Sequence, residues 1–170
     1  TTGLAGHWKL DETSGTTAAD SSGNGNSGTL TGGPTWPTGK IGGGLQFDGV
    51  NDYLTMASAV NAQAWTAAAW FKWTGAIPDF GTIVYGVGGQ HVNRALLRSD
   101  GKIIVQGACC DVPLTSNTTF VQNQWYHIAF SQTGGIPTLY VNGALDKVGT
   151  AGTFGSGNIS ITIGGTATAY

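Results

Sequence analysis

The chain has 170 residues, with seven Lys and Arg against nine Asp and Glu, a net charge of −2 and no basic run; this excludes the electrostatic footprint of a nucleic-acid or anionic-membrane binder. No apolar stretch reaches the ~20 residues that span a bilayer, and Thr1 does not open a charged-then-apolar leader, so the chain reads as a mature soluble product or a segment of a longer one. Glycine stands at 29 positions, far above the usual ~7 per cent, yet aromatic and β-branched residues recur between the glycines, which argues against disorder.

Helical periodicity is lacking. Short apolar or alternating runs broken by Gly, Pro, Asn and Asp predict strands over residues 6–10, 28–31, 44–47, 53–56, 65–73, 81–85, 95–98, 102–106, 124–131, 138–141, 144–148 and 158–163. That number suffices for two sheets, and the expected fold is an all-β, two-sheet antiparallel β-sandwich forming a single domain over 1–170. Asp48-Gly49, Ser99-Asp100-Gly101 and Val141-Asn142-Gly143 place Asp or Asn before Gly where positive φ is needed, and the last two predict tight hairpins. Alternation along Thr138-Leu139-Tyr140-Val141 puts Leu139 and Val141 on one face and Thr138 and Tyr140 on the other. Trp8, Phe47, Trp70, Phe71, Trp125 and Phe130 occupy strand-like positions and are assigned to the core. Trp36 and Trp73, flanked by Pro or Gly, are loop aromatics of the kind that stacks on a sugar ring.

The polar loop 20–28 carries the oxygen donors a hard cation requires. Asp20, Asn24 and Asn26 supply part of a Ca²⁺ shell, glycines let the backbone curl around an ion, and the glutamate and helix of an EF-hand are missing. The alternative is an Asx-turn loop whose side chains satisfy their own backbone. Asp48, Asn51 and Asp52 read first as a strand-joining turn and second as rim ligands for a metal or sugar. His91, Asn93 and Arg94, with Arg98, Asp111 and Asn117 further on, offer mixed donors and acceptors suited to sugar hydroxyls if their loops converge.

Catalytic patterns are scarce. Glycoside hydrolysis needs two carboxyl groups across the scissile bond, but Glu12 is the single glutamate and no aspartates alternate along a strand. His7, His91 and His127 lie far apart, and nucleophile-elbow, phosphate-loop, dinucleotide and HExxH or CxxC patterns are absent. Cys109 and Cys110 are adjacent and are either free thiols or a strained vicinal disulfide. Asn117-Thr118-Thr119 and Asn158-Ile159-Ser160 match the N-glycosylation rule.

Four segments carry a family resemblance: His7-Trp8-Lys9-Leu10-Asp11-Glu12, the loop Asp20 to Gly28, Leu45-Gln46-Phe47-Asp48-Gly49, and Trp125-Tyr126-His127-Ile128-Ala129-Phe130 leading into Leu139-Tyr140-Val141-Asn142-Gly143. In order and wording they resemble the laminin-G-like members of the concanavalin-A-like lectin/glucanase superfamily. The resemblance implies a jelly roll and a structural Ca²⁺ in the 20–28 loop. The closing Gly-x-Ile-Asp-Glu-Val-like strand of that family has no counterpart before Tyr170: either the domain has lost its last strand, or the chain is shortened, or the missing edge is supplied by something else, and an open edge is a template for strand addition. The function expected is a non-catalytic carbohydrate-binding or adhesion module, extracellular or on a virion surface, with Trp36, His91, Asn93, Arg94 and Asp111 meeting a glycan. The alternative is a structural subunit of a fibre, capsid or surface layer that assembles with copies of itself through sheet edges.

Overall fold

A computed structural model describes residues 3–61, 64–75, 80–88, 91–106, 114–152 and 158–164, with the backbone alone described at 57–61, 80, 87–88, 91–93 and 158–159. Among these residues there is no helix. The strands are β1 (Thr17–Ala18), β2 (Gly28–Thr31), β3 (Tyr53–Asn61), β4 (Ala64–Phe71), β5 (Phe80–Gly88), β6 (His91–Arg98), β7 (Ile103–Gln106), β8 (Leu114–Thr115), β9 (Tyr126–Thr133), β10 (Ile136–Val141), β11 (Ala144–Val148) and β12 (Asn158–Gly164). They form two antiparallel sheets, one of eight strands in the order β1-β2-β3-β12-β5-β6-β7-β8 and one of four in the order β11-β10-β9-β4. The all-β sandwich is as expected.

Period-two burial builds the core. Leu30, Leu54, Ile163, Val84, Ala95, Val105 and Leu114 stand opposite one another on seven successive strands, an apolar row on one face of the larger sheet. Against it the smaller sheet turns Tyr126, Ile128 and Phe130 from β9 and Leu139 and Val141 from β10, all buried. Leu139 and Val141 therefore share the core face while Tyr140 faces out. Burying side chains of this size stabilises by roughly 1.5–3 kcal/mol each in transfer terms. Phe120, 2 % exposed, joins the layer from the 116–125 connection and meets the Tyr126 ring edge-on at 4.8 Å.

Turn chemistry is where sequence and structure agree most closely. Asn142 and Gly143 have φ of 51° and 81°, the left-handed pair of a two-residue hairpin between β10 and β11. The Asn142 carboxamide also accepts the His127 N–H at 2.9 Å, tying that turn to β9. In the 48–52 turn, which leads from the isolated Gln46 bridge into β3, Asp48 Oδ1 accepts the Val50 N–H at 2.8 Å, so it is a turn with Asp holding backbone amides but it does not join two strands.

Three expectations need correction. Residues 6–10 and 44–47 are not strands: each makes an isolated bridge, Trp8 to Asp20 and Thr35 to Gln46. Leu10 has φ of 59°, a left-handed conformation that stops an extended run. Both segments instead pack Trp8, Leu10, Leu45 and Phe47 against the rim of the core. Trp70 is not core: alternation turns it outward, and it is 40 % exposed. The short strands β1 and β8, two residues each, carried no apolar run to reveal them.

Candidate functional site

One residue along from the apolar row, the pairing aligns a second row on the opposite face of the eight-stranded sheet: Thr17, Thr29, Thr55, Thr162, Tyr85, Arg94 and Gln106. Directly opposed residues share a face, so seven strands contribute a continuous polar strip. Four hydroxyls of threonine, each donor and acceptor, lead to a phenol, a guanidinium and a carboxamide. The strip deepens along its length. Thr17 and Thr29 are exposed, Thr55, Thr162, Tyr85 and Arg94 are partly buried, and Gln106 is 8 % exposed. Leu96 and Ile104, paired on that same face, are buried and form an apolar flank at the deep end.

Arg94 is the group in this strip with unspent capacity. Its Nε is buried and has no acceptor among the described residues. Arg98, by contrast, is paired with Asp100 at 3.1 Å in the β6–β7 turn. A buried N–H without an acceptor is costly, so Arg94 is suited to meet an acceptor brought by a ligand. Beside it, a cavity of about 10 Å³ between Trp65, Ala95, Val105, Phe130 and Gln132 has room for one water at most and is no ligand pocket.

The predicted ligand set is divided by the structure. Arg94 stands opposite Gln106 in the β6–β7 pairing. Asp111, with Cys109 and Cys110, falls outside the described residues. His91 and Asn93 stand opposite Gly88 and Gly86, their side chains also outside the described residues. Trp36 is partly buried against the core, and its indole N–H donates to the Gly15 carbonyl at 3.1 Å, two residues before Thr17 at the end of the strip away from Arg94. Asn117 belongs elsewhere as well, donating its N–H to the Asp146 carboxylate at 2.8 Å. The threonines, Tyr85 and Gln106 were missed because only the strand order brings them together.

The Asp20 loop closes on itself. Asp20 Oδ1 accepts the N–H groups of His7 at 2.9 Å and Ser22 at 2.8 Å, while Oδ2 accepts the Ser22 hydroxyl at 2.8 Å and the Asn26 N–H at 2.9 Å. These donors, the His7 amide first, hold the Asp20 carboxyl well below the usual carboxylate range. The Asn24 and Asn26 amides donate to the Leu4 and Ala5 carbonyls at 2.7 Å each. A carboxylate has about four lone-pair sites, and all of Asp20's are met by hydrogens. In this arrangement Asp20, Asn24 and Asn26 are engaged in hydrogen bonds within the loop and to residues 4–7, the geometry of the Asx-turn alternative.

The other described carboxylates are engaged in similar ways. Asp11 accepts Gly43 N–H, Glu12 accepts Ala19 N–H, Asp52 accepts Asp48 N–H, and Asp100 accepts Lys102 N–H. Asp48 is lowered in pKa, chiefly by the Val50 amide. Asp146 accepts the Thr118 N–H at 2.9 Å and the Thr118 hydroxyl, pinning the 116–118 segment to β11. A polar cleft of about 270 Å³ lies beside it, lined by Thr118, Tyr126, Asn142 and Leu145, with Asp146 its one carboxylate.

Comparison with solved structures returns the same architecture. The chain is 22 % identical to domain 4 of AbnA, a GH43 extracellular arabinanase from Geobacillus stearothermophilus determined in complex with arabinotriose, with a TM-score of 0.79 over 98 % of this chain and 85 % of that one. The carbohydrate binding module CBM66 from Bacillus subtilis is 14 % identical, with a TM-score of 0.53 over 81 % of this chain and 87 % of that one. A Trypanosoma rangeli sialidase is 14 % identical with a TM-score of 0.73, and the match covers all of this chain but 28 % of the sialidase. No curated protein matches. Residues 47–169 match the family Laminin_G_3, described as the Concanavalin A-like lectin/glucanases superfamily, and the chain belongs to that family.

Proposed function

We propose that the chain is a non-catalytic carbohydrate-binding module that works outside the cell or on a particle surface. A glycan lies along the polar strip of the eight-stranded sheet, with its hydroxyls reading the Thr55, Thr162 and Tyr85 hydroxyls and one of its oxygens accepting from Arg94. The observation that carries this reading is the Arg94 Nε, buried and without a described acceptor at the deep end of a row of hydroxyls. Support comes from two structural neighbours, one bound to arabinotriose and the other a carbohydrate binding module. The non-catalytic part is supported by the carboxylates: each of those described accepts a hydrogen bond that shapes a turn or loop, Glu12 through one oxygen while its Oε2 is buried without a partner, and the cleft beside Asp146 holds one carboxylate. Extracellular action agrees with a surface rich in neutral hydroxyls and poor in charge.

The test is titration calorimetry with arabino-oligosaccharides, widened by a glycan array. Arg94→Ala is expected to weaken binding at least tenfold while the melting temperature stays within a few degrees. Arg94→Lys keeps the charge but loses the planar fork, and is expected to recover only part of the affinity. Full affinity in Arg94→Ala would sink the placement, and reducing sugar released from any bound glycan would sink the non-catalytic reading.

A further inference from the structure

The outer face of the four-stranded sheet is of another kind. Register places Ala68, Ala129, Tyr140 and Leu145 in one row, Trp70 and His127 in the next towards one end, and Thr66, Ser131, Thr138 and Val148 in the next towards the other. Trp70 is 40 % exposed, Tyr140 39 %, Leu145 58 % and Val148 51 %. Exposed apolar residues scattered singly are ordinary, whereas a contiguous group marks a contact surface. Trp70 and Tyr140 stand two strands and two residues apart, about 12 Å on a β lattice. The alanines Ala68 and Ala129 between them leave a floor from which no bulky side chain rises.

Charge on this face is one-sided. The Lys40 ammonium sits 5.6 Å from the Trp70 ring centroid, within cation–π range, and the His127 ring meets the indole edge-on at 5.4 Å. Asp146 is the one acid in the four strands, and its carboxylate turns away to Asn117 and Thr118. A second copy of the chain fits poorly here. The sheet face measures roughly 450 Å² by strand spacing and rise, about half of the ~800 Å² that each partner in a stable complex buries.

We propose that this face is a second glycan-binding platform, for an extended polysaccharide chain that carries carboxylates. Sugar rings lie with their C–H faces on Trp70 and Tyr140, the hydroxyls of Thr66, Ser131 and Thr138 bond along one side, and Lys40 swings off the indole to take a carboxylate. The platform stands independently of the Arg94 strip. Because the two faces point away from each other, a module with both occupied holds two chains and cross-links them.

The experiment is affinity electrophoresis of the full chain in polygalacturonate, at low and high salt, beside neutral arabinan. The wild type is expected to be retarded by polygalacturonate, Trp70→Ala to lose at least tenfold in affinity, and Trp70→Tyr to keep much of it. Lys40→Gln is expected to bind weakly with little salt dependence, and Arg94→Ala to bind as wild type. Circular dichroism melts report whether each variant folds, and these surface positions are expected to. Unaltered retardation of Trp70→Ala, loss of polygalacturonate binding in Arg94→Ala, or a Trp70-dependent doubling of mass without glycan would each overturn the proposal. Failure on arabinan alone counts against the Arg94 strip and leaves this platform standing.

Discussion

The two sheets turn contrasting outer faces to solvent. Across the larger one, Thr17, Thr29, Thr55, Thr162, Tyr85, Arg94 and Gln106 form a hydroxyl strip that deepens towards β7. Across the smaller one, Trp70, Tyr140, Leu145 and Val148 stand exposed around an alanine floor. Threonine, tyrosine, tryptophan and valine all favour strands, so strand formation does not choose between the two faces. The inner rows are dictated by burial; the outer rows are where composition is left to what the surface meets. The two proposed binding faces therefore differ in chemistry although they belong to one sandwich.

The strongest way to break this contrast is from beneath. Phe130 is buried between the sheets, and Phe130→Ala is expected to cost about 3–5 kcal/mol, read by urea denaturation. Both faces should then lose their ligands at one denaturant concentration. Loss at two separate concentrations would mean the sheets are not one cooperative unit.

Asp20 lies on neither face and provides the control. Its carboxyl is held below its ordinary value of 3.8 by the His7, Ser22 and Asn26 donors. A depressed folded-state pKa stabilises above the unfolded value and loses that contribution as the pH falls through the folded one. Wild-type melting temperature should therefore drop on acidification below about pH 4, and Asp20→Asn should be less stable at neutral pH with a shallower acid slope. Asp20→Asn should bind ligand as the wild type does when folded. With Asp20's lone pairs filled, chelators should leave the melting temperature unchanged; a rise of several degrees with added Ca²⁺ would show that the loop rearranges around a cation.

The smallest effect sharpens the contrast directly. Leu145→Thr carries the chemistry of one face onto the other at a 58 % exposed position, and should change stability by less than ~0.5 kcal/mol. Denaturation curves check that, and a change above 1 kcal/mol would mean Leu145 is packed in solution.

Strands bounded by turn signals were legible in the chain, as at β10 and β11, where Asn142-Gly143 marked the turn and alternation separated Leu139 and Val141 from Tyr140, with burial then deciding which face is core. Segments 6–10 and 44–47 look like strands in composition but make only one isolated bridge each instead of a ladder, which pattern alone does not reveal. Trp70 was assigned inward because a large apolar side chain is usually buried; alternation in β4 overrode that preference. Of the site, Arg94 was legible as a donor, whereas Thr17, Thr55, Tyr85 and Thr162 were not. They are scattered along the chain, and only the order β3-β12-β5 aligns them. Local propensity carries no information about such non-local pairing.

That same order has a consequence for how the protein is made. β12, residues Asn158–Gly164, fills the gap between β3 and β5, so the centre of the larger sheet is the last part of it to be synthesised. Until it arrives, β3 and β5 each lack a partner along one edge, the edge that β12 pairs at residues 53–56 and 60–61 of β3 and 84–87 of β5, and pairing across about a hundred residues is slow. The meander β9-β10-β11 pairs only with β4 and lies in the other sheet. A chain emerging at high concentration therefore exposes two templates for pairing with its neighbours, and yield of folded protein should depend on how quickly that final strand is delivered.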